Sequence, residues 1–129
     1  MKFEHFALNV PDVRAMSLWY VEHLGLQVIR NREEAPHTHF LGDDTGRVFI
    51  ELYTNTSAMI PDYAGQHPLV AHVALYTTDS ATERARLEKA GAKFFGEDVS
   101  ADGTRLIMMR DPWGVALQLC QRGQPFPGF

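Results

Sequence analysis

Two histidines, a glutamate and a glutamine stand at matched places in this chain. His5 opens the segment His5-Phe6-Ala7-Leu8-Asn9-Val10-Pro11-Asp12, and His72 opens His72-Val73-Ala74-Leu75-Tyr76-Thr77-Thr78-Asp79; His, Ala, Leu and Asp coincide at an offset of 67. At the same offset Val48-Phe49-Ile50-Glu51-Leu52 meets Val115-Ala116-Leu117-Gln118-Leu119, so Glu51 answers to Gln118. Two imidazoles, a carboxylate and an amide oxygen make a mixed N/O donor set. Such a set suits a divalent transition metal and leaves positions open for water or substrate. His5, His72 and Glu51 alone have the composition of a 2-His-1-carboxylate site. A single histidine opening a strand is ordinarily an edge residue. Its repetition, with a carboxylate on the same face, favours metal over a polar cleft holding a His–Glu hydrogen bond. Gln118 is read as the fourth ligand through its oxygen, with a hydrogen-bonding cleft residue as the other reading.

The elements that must position these residues read as β-α-β-β-β, twice. Phe3 to Val10 alternates and stops at Pro11, as a strand does. Asp12 caps a helix to about His23 with Gly25 as its left-handed stop, and Met16, Trp19, Tyr20 and Leu24 form its apolar stripe. Strands follow at Leu26 to Arg30, His39 to Gly42 and Val48 to Thr54. The second copy has a strand from His72 to Thr77 and a helix to Ala90, with Ser80-Ala81-Thr82-Glu83 as a capping box. Its other strands are Lys93 to Gly96, Thr104 to Arg110 and Val115 to Cys120. Side chains two apart on a strand share a face. His5 therefore sides with Ala7 and Asn9, Glu51 with Phe49 and Tyr53, His72 with Ala74 and Tyr76, and Gln118 with Ala116 and Cys120. These sets are expected to point together into a concavity. Tyr53 and Tyr76 are candidates to line it, and Cys120 is read as an inert buried thiol. His37-Thr38-His39 is a candidate lid segment. Arg30, Arg47, Arg105 and Arg110 are candidates to grip an anion.

The whole chain, 129 residues, is expected to be one domain: module 1 at about 3–54, a linker at 55–71 rich in turn residues, module 2 at about 72–121 and a tail at 122–129 that is extended or mobile. Hydrophobic residues at 45% and charged residues at 22% are globular composition, which excludes a disordered tail protein. A formal net charge of -4 argues against a nucleic-acid binder. No apolar run approaches the roughly 20 residues that span a bilayer, and the first residues carry no apolar signal core. A single cysteine permits no intrachain disulfide, so a cytoplasmic, reducing setting is expected.

The paired modules with His5, Glu51, His72 and Gln118 on their inner strands resemble the vicinal oxygen chelate superfamily. That superfamily includes glyoxalase I, extradiol dioxygenases, methylmalonyl-CoA epimerase, and the fosfomycin-resistance and bleomycin-binding proteins. Trp19-Tyr20, Leu24-Gly25-Leu26 and Asp111-Pro112-Trp113-Gly114 are similar to its helix and hairpin patterns. The resemblance covers about Phe3 to Gln121. It implies an α+β fold in which two paired βαβββ modules form a curled mixed sheet around a metal-binding cleft. It implies one divalent metal ion (Zn, Ni, Co, Fe(II) or Mn) on His5, Glu51, His72 and Gln118, a small-molecule substrate, and a homodimer. Bacterial glyoxalase I is similar at His5, Glu51 and His72, and at Asn55, where that enzyme contacts glutathione. This chain has Gln118 where that enzyme has a second glutamate, and Asn9 where it has an arginine. The implied function is a glyoxalase- or epimerase-type lyase or isomerase with Glu51 as the base and Asn9, Tyr53, Asn55 and Tyr76 near the substrate. An extradiol-type dioxygenase on Fe(II) or Mn(II) and a non-catalytic antibiotic-binding module are the alternatives.

Overall fold

A computed structural model describes residues 1–129. The chain divides into two compact units, Met1–Pro61 and Asp62–Phe129, and the division falls inside the stretch expected to link two modules. The first unit runs β1 (Phe6–Asn9), α1 (Val13–Leu24), β2 (Gln27–Asn31), β3 (His39–Gly42) and β4 (Val48–Tyr53). The second runs β5 (Val73–Tyr76), α2 (Ser80–Lys89), β6 (Lys93–Val99), β7 (Arg105–Arg110) and β8 (Ala116–Gln121). Each unit is one helix on a four-stranded mixed sheet. The strand orders are β1-β4-β3-β2 and β5-β8-β7-β6. The first strand of each pairs parallel with the last, and the other pairings are antiparallel.

The duplication extends to irregularities. The β2–β3 ladder shifts register between Val28 and Arg30, and the β6–β7 ladder between Phe94 and Gly96. In each unit one sheet face packs under the helix. Leu8, Leu41, Ile50 and Leu52 are buried in the first unit with Met16 and Tyr20 of α1; Ile107, Met109, Leu117 and Leu119 are buried in the second with Leu87 of α2. Burying each such side chain is worth about 1.5–3 kcal/mol over leaving it in water. A one-residue slip would send a whole strand's apolar set to the other face, so this burial fixes register. It thereby fixes which residues occupy the face away from the helix, called here the open face.

Both helices begin on an aspartate. The Asp12 carboxylate accepts from Ala15 N–H at 2.9 Å, and Gly25 closes α1 in the left-handed region at φ 70°. For α2 the cap is Asp79, not the expected Ser80. The Asp79 carboxylate accepts from Thr82 N–H at 3.0 Å and from the Thr82 hydroxyl at 2.7 Å. Those bonds hold its carboxyl below the usual carboxylate range. Ser80 is buried, and its hydroxyl and N–H both donate to Gln121 Oε1, at 2.9 and 3.0 Å, tying α2 to β8. A second acceptor one residue upstream, with two donors on Thr82, outcompetes the hydroxyl. In the tail the Phe129 ring meets the Tyr76 ring at 5.1 Å, and the Arg122 guanidinium lies over Phe126 at 4.8 Å.

Candidate metal and substrate site

The open face of the first unit brings His5 and Glu51 together. His5 lies one residue before β1, so it is not itself a strand residue. Glu51 is in β4, opposite Ala7 on one side and Phe40 on the other. His5 Nε2 lies 3.0 Å from Glu51 Oε2, and the two side chains are 31% and 18% exposed. The His5 ring meets Phe40 edge-on at 5.5 Å. The other ring nitrogen, Nδ1, contacts the Glu4 carboxylate. Ala7, beside Glu51 across the ladder, keeps the approach low.

His72 and Gln118 belong to the second unit. His72 lies one residue before β5, as His5 does before β1. Its Nδ1 is 3.2 Å from the Pro68 carbonyl oxygen, and an N–H there donates to that oxygen. Gln118 in β8 is opposite Ala74 and Met108, and its Oε1 accepts from the Cys120 thiol at 3.3 Å. Burial pushes the Cys120 thiol up from its ordinary value, which suits a hydrogen-bonding, unreactive sulfhydryl.

These contacts supply a test of whether the residues suit a divalent ion. Two ligands about 2.1 Å from one metal, at roughly 90–110°, lie about 3.0–3.4 Å apart. The His5–Glu51 separation matches that distance. Metal-binding histidines almost always have the non-ligating ring nitrogen held by a carboxylate or a backbone carbonyl. Glu4 holds Nδ1 of His5 in that manner, and the Pro68 carbonyl holds Nδ1 of His72. In both rings Nε2 is the atom left to coordinate. The His5–Glu51 pair therefore fits two ligands of one metal, and the second unit carries a histidine and an oxygen donor at the matching places, His72 and Gln118. Neither unit by itself gathers three or more His, Cys, Asp or Glu side chains around one point.

Sequence reasoning did not single out Glu4 or Pro68. The signals were an acid adjacent to His5 and a proline four residues before His72, and both are common in chains without metal. The substrate candidates separate. Asn9 is buried and its amide is committed: Nδ2 donates to the carbonyls of Asn55 and Ala58 at 3.0 and 3.2 Å, and Oδ1 accepts from Asn55 N–H at 2.9 Å. Asn9 thus anchors the chain leaving β4 and has no amide group left for a ligand. Asn55 is exposed, its own Oδ1 accepting from Ser57 N–H at 2.9 Å. Tyr53 is half-buried beside Asn9 on the ladder, and Tyr76 is covered in part by Phe129.

The lid candidates also part company. His37 is exposed, with Nδ1 2.5 Å from the Glu33 carbonyl. His39 is buried in β3 opposite Leu52, on the helix side, and its Nδ1 has no hydrogen-bond partner. Burial pushes its pKa below the usual value, partly opposed by Glu33. Arg110 donates to the carbonyls of Tyr63 and Gly114 at 2.7 and 2.9 Å, and Arg105 pairs with Glu97 at 3.2 Å. Both guanidinium groups have structural partners.

Two mixed βαβββ units of this kind, each with a histidine ahead of its first strand and an oxygen donor in its last, define a duplicated fold. The model of the Glyoxalase/Bleomycin resistance protein/Dioxygenase superfamily matches residues 2–119, and the chain belongs to that superfamily. It is 30% identical over 130 residues to the uncharacterised protein YwbC of Bacillus subtilis (strain 168), covering 94% of this chain and 98% of that one. Among solved structures, glyoxalase I from Zea mays superposes with a TM-score of 0.73 at 23% identity, over 95% of this chain and 45% of the maize enzyme. TnmS3, an antibiotic-binding protein from Streptomyces sp. CB03234, gives 0.71 at 20% identity, over 93% and 94%. At these identities the structural likenesses establish the fold. No helix is long and apolar enough to cross a membrane.

Proposed function

We propose that the chain is a cytoplasmic, divalent-metal-dependent enzyme of the glyoxalase or epimerase type. It would act on a small substrate with vicinal oxygens, as a homodimer, with His5, Glu51, His72 and Gln118 as the metal's protein ligands. The observation that carries this reading is the His5 Nε2 to Glu51 Oε2 distance of 3.0 Å, with Nδ1 of both histidines held by an oxygen. Bound there, the ion supplies Lewis-acid polarisation of a carbonyl.

Glu51 is the residue that moves the proton. Its carboxylate takes hydrogen from the carbon next to the carbonyl: the C–H bond breaks, an O–H bond forms on Oε, and the electron pair moves toward the carbonyl oxygen. Returning the proton to the neighbouring carbon or to the opposite face completes an isomerisation. Gln118 has no basic form near neutral pH, so the proton traffic falls to one carboxylate. Glu4, by holding Nδ1 of His5, keeps the ring's Nε2 turned to the Glu51 side of the site, and Tyr53, Asn55 and Tyr76 are the proposed substrate contacts.

The test is solvent-deuterium incorporation during a screen of dicarbonyls and catechols with metal-loaded protein. Deuterium in a recovered dicarbonyl or its product is the expected result. Oxygen uptake on a catechol without such exchange would replace proton transfer by dioxygenation. Stoichiometric binding with neither would leave a binding module.

A further inference from the structure

The open face of the second unit holds a cavity of about 440 Å³ beside Gln118. Its floor is one rung of the sheet, Gln118, Met108 and Gly96 on β8, β7 and β6, with Leu106, Phe95 and Leu69 around it. Volumes of roughly 300–1,000 Å³ with mostly apolar walls and a few polar groups are typical of small-molecule sites.

Gly96 is what opens it. Glycine inside a strand weakens it and needs a reason. The register shift next to it is not that reason, because the first unit makes the same shift with Arg30 at the corresponding rung. Backbone conformation is not the reason either, since Gly96 is not among the glycines with positive φ. Packing also places no demand: a Cβ built there meets no atom within 4 Å. What the missing side chain leaves is room above Met108.

The charges around the cavity select its occupant. Glu97, Asp98 and His67 line it, and no lysine or arginine does. Glu97 is paired with Arg105 at 3.2 Å. Asp98 lies opposite Leu106, on the rung next to Gly96. Arg110 reaches over the Phe95 ring at 5.5 Å but is tied to backbone carbonyls. An anion would face an uncompensated carboxylate here.

We infer that this cavity binds a small molecule with an aromatic or branched apolar body and a neutral or cationic polar group. The body lies in the space over Gly96 against Met108 and Leu106, and the polar group meets the Gln118 amide or Asp98. The inference rests on the proposed function in taking the Gln118 face as the substrate side, and it deepens that reading by excluding polyanionic substrates.

Fluorescence titration of chelator-treated protein tests it with three dyes: cationic proflavine, neutral Nile red and the anionic 1-anilinonaphthalene-8-sulfonate. Proflavine and Nile red are expected to saturate at one equivalent, with the sulfonate weaker than either. Gly96→Leu should weaken both by about tenfold or more, equivalent to roughly 1.4 kcal/mol, and Gly96→Ala by less. Asp98→Asn should weaken proflavine several-fold and leave Nile red unchanged. Circular dichroism and metal content of each variant should match wild type. Wild-type dye affinity in a folded Gly96→Leu protein, or tightest binding of the sulfonate, overturns the inference. Metal retained by a protein that binds none of the dyes would sink the cavity proposal alone. Dye binding by a protein that takes up no metal would sink the metal reading alone.

Discussion

The same rung differs between the two units in a way that separates their tasks. In the first it reads Ala7, Glu51, Phe40, Arg30; in the second Ala74, Gln118, Met108, Gly96. The backbone frame is shared down to the register shift, yet the first rung carries a carboxylate against an imidazole and ends in a long cation. The second carries an amide and a thioether and ends in open space. A repeated fold fixes where side chains stand, not what they do there. On this reading the first unit supplies the base and the second supplies room. The helix faces differ too: His39 stands in β3 opposite Leu52, where the second unit has Ile107 opposite Leu119.

Exchanging the units' chemistry should have its largest effect at Glu51. Glu51→Gln makes the first rung resemble the second. It is expected to keep much of the metal, because an amide oxygen replaces a carboxylate oxygen, while turnover falls by about 10²–10⁴-fold, the usual contribution of a positioned base. Deuterium exchange and metal content of the one variant read both halves of that statement. Unchanged exchange would remove Glu51 from the base role.

A smaller effect is expected at Asn9, whose counterpart Tyr76 anchors no such loop. Asn9→Leu removes the side-chain partner of two part-buried carbonyls and one N–H, which should cost about 1–2 kcal/mol. Urea denaturation measures it, and a loss below a few tenths would mean that the loop at 55–58 finds other partners.

His39→Ile gives the first unit the apolar residue of the second. Removing a buried, unpartnered nitrogen should stabilise the protein by on the order of 1 kcal/mol near neutrality. The gain should grow in acid. Burial lowers the His39 pKa, so below the ordinary value of about 6.5 the unfolded chain binds the proton more readily than the folded one. Wild type therefore loses stability as pH falls through that window toward the folded value, and the variant lacks that part of the slope. Denaturation at a series of pH values checks the sign.

The smallest effect is expected where the units agree. Both helices are capped by an aspartate, and Asp12→Ala should cost roughly 0.5–1 kcal/mol through loss of the bond from Ala15 N–H. A melting curve measures it.

Much of the fold was legible because burial writes a period into each strand. Alternation gave His39–Gly42 as observed and the other strands to within a few residues. The offset between His5 and His72 announced the duplication. Finer features depend on competition that spacing does not encode. Ser80 and Asp79 are both good caps, and only the geometry around Thr82 decides between them. His5 and His72 each sit a residue outside the strand expected to hold them, because ladder pairing begins at Phe6 and Val73. Asn9 shared a face with His5 in the alternation, but its amide turns to the loop at Asn55 and Ala58. The cavity was illegible because it arises from a side chain that is missing, at a rung set by a register shift.

The central proposal is that His5 and His72 ligate a single divalent ion. It is tested most directly by metal analysis of wild type, His5→Ala and His72→Ala, each purified without chelator and equilibrated with the same Zn(II) or Ni(II) concentration. Both histidines lie outside the strands, so the variants should fold. The account predicts about one equivalent in wild type and a steep loss in both variants, with circular dichroism unchanged. Equal occupancy in all three proteins would contradict it.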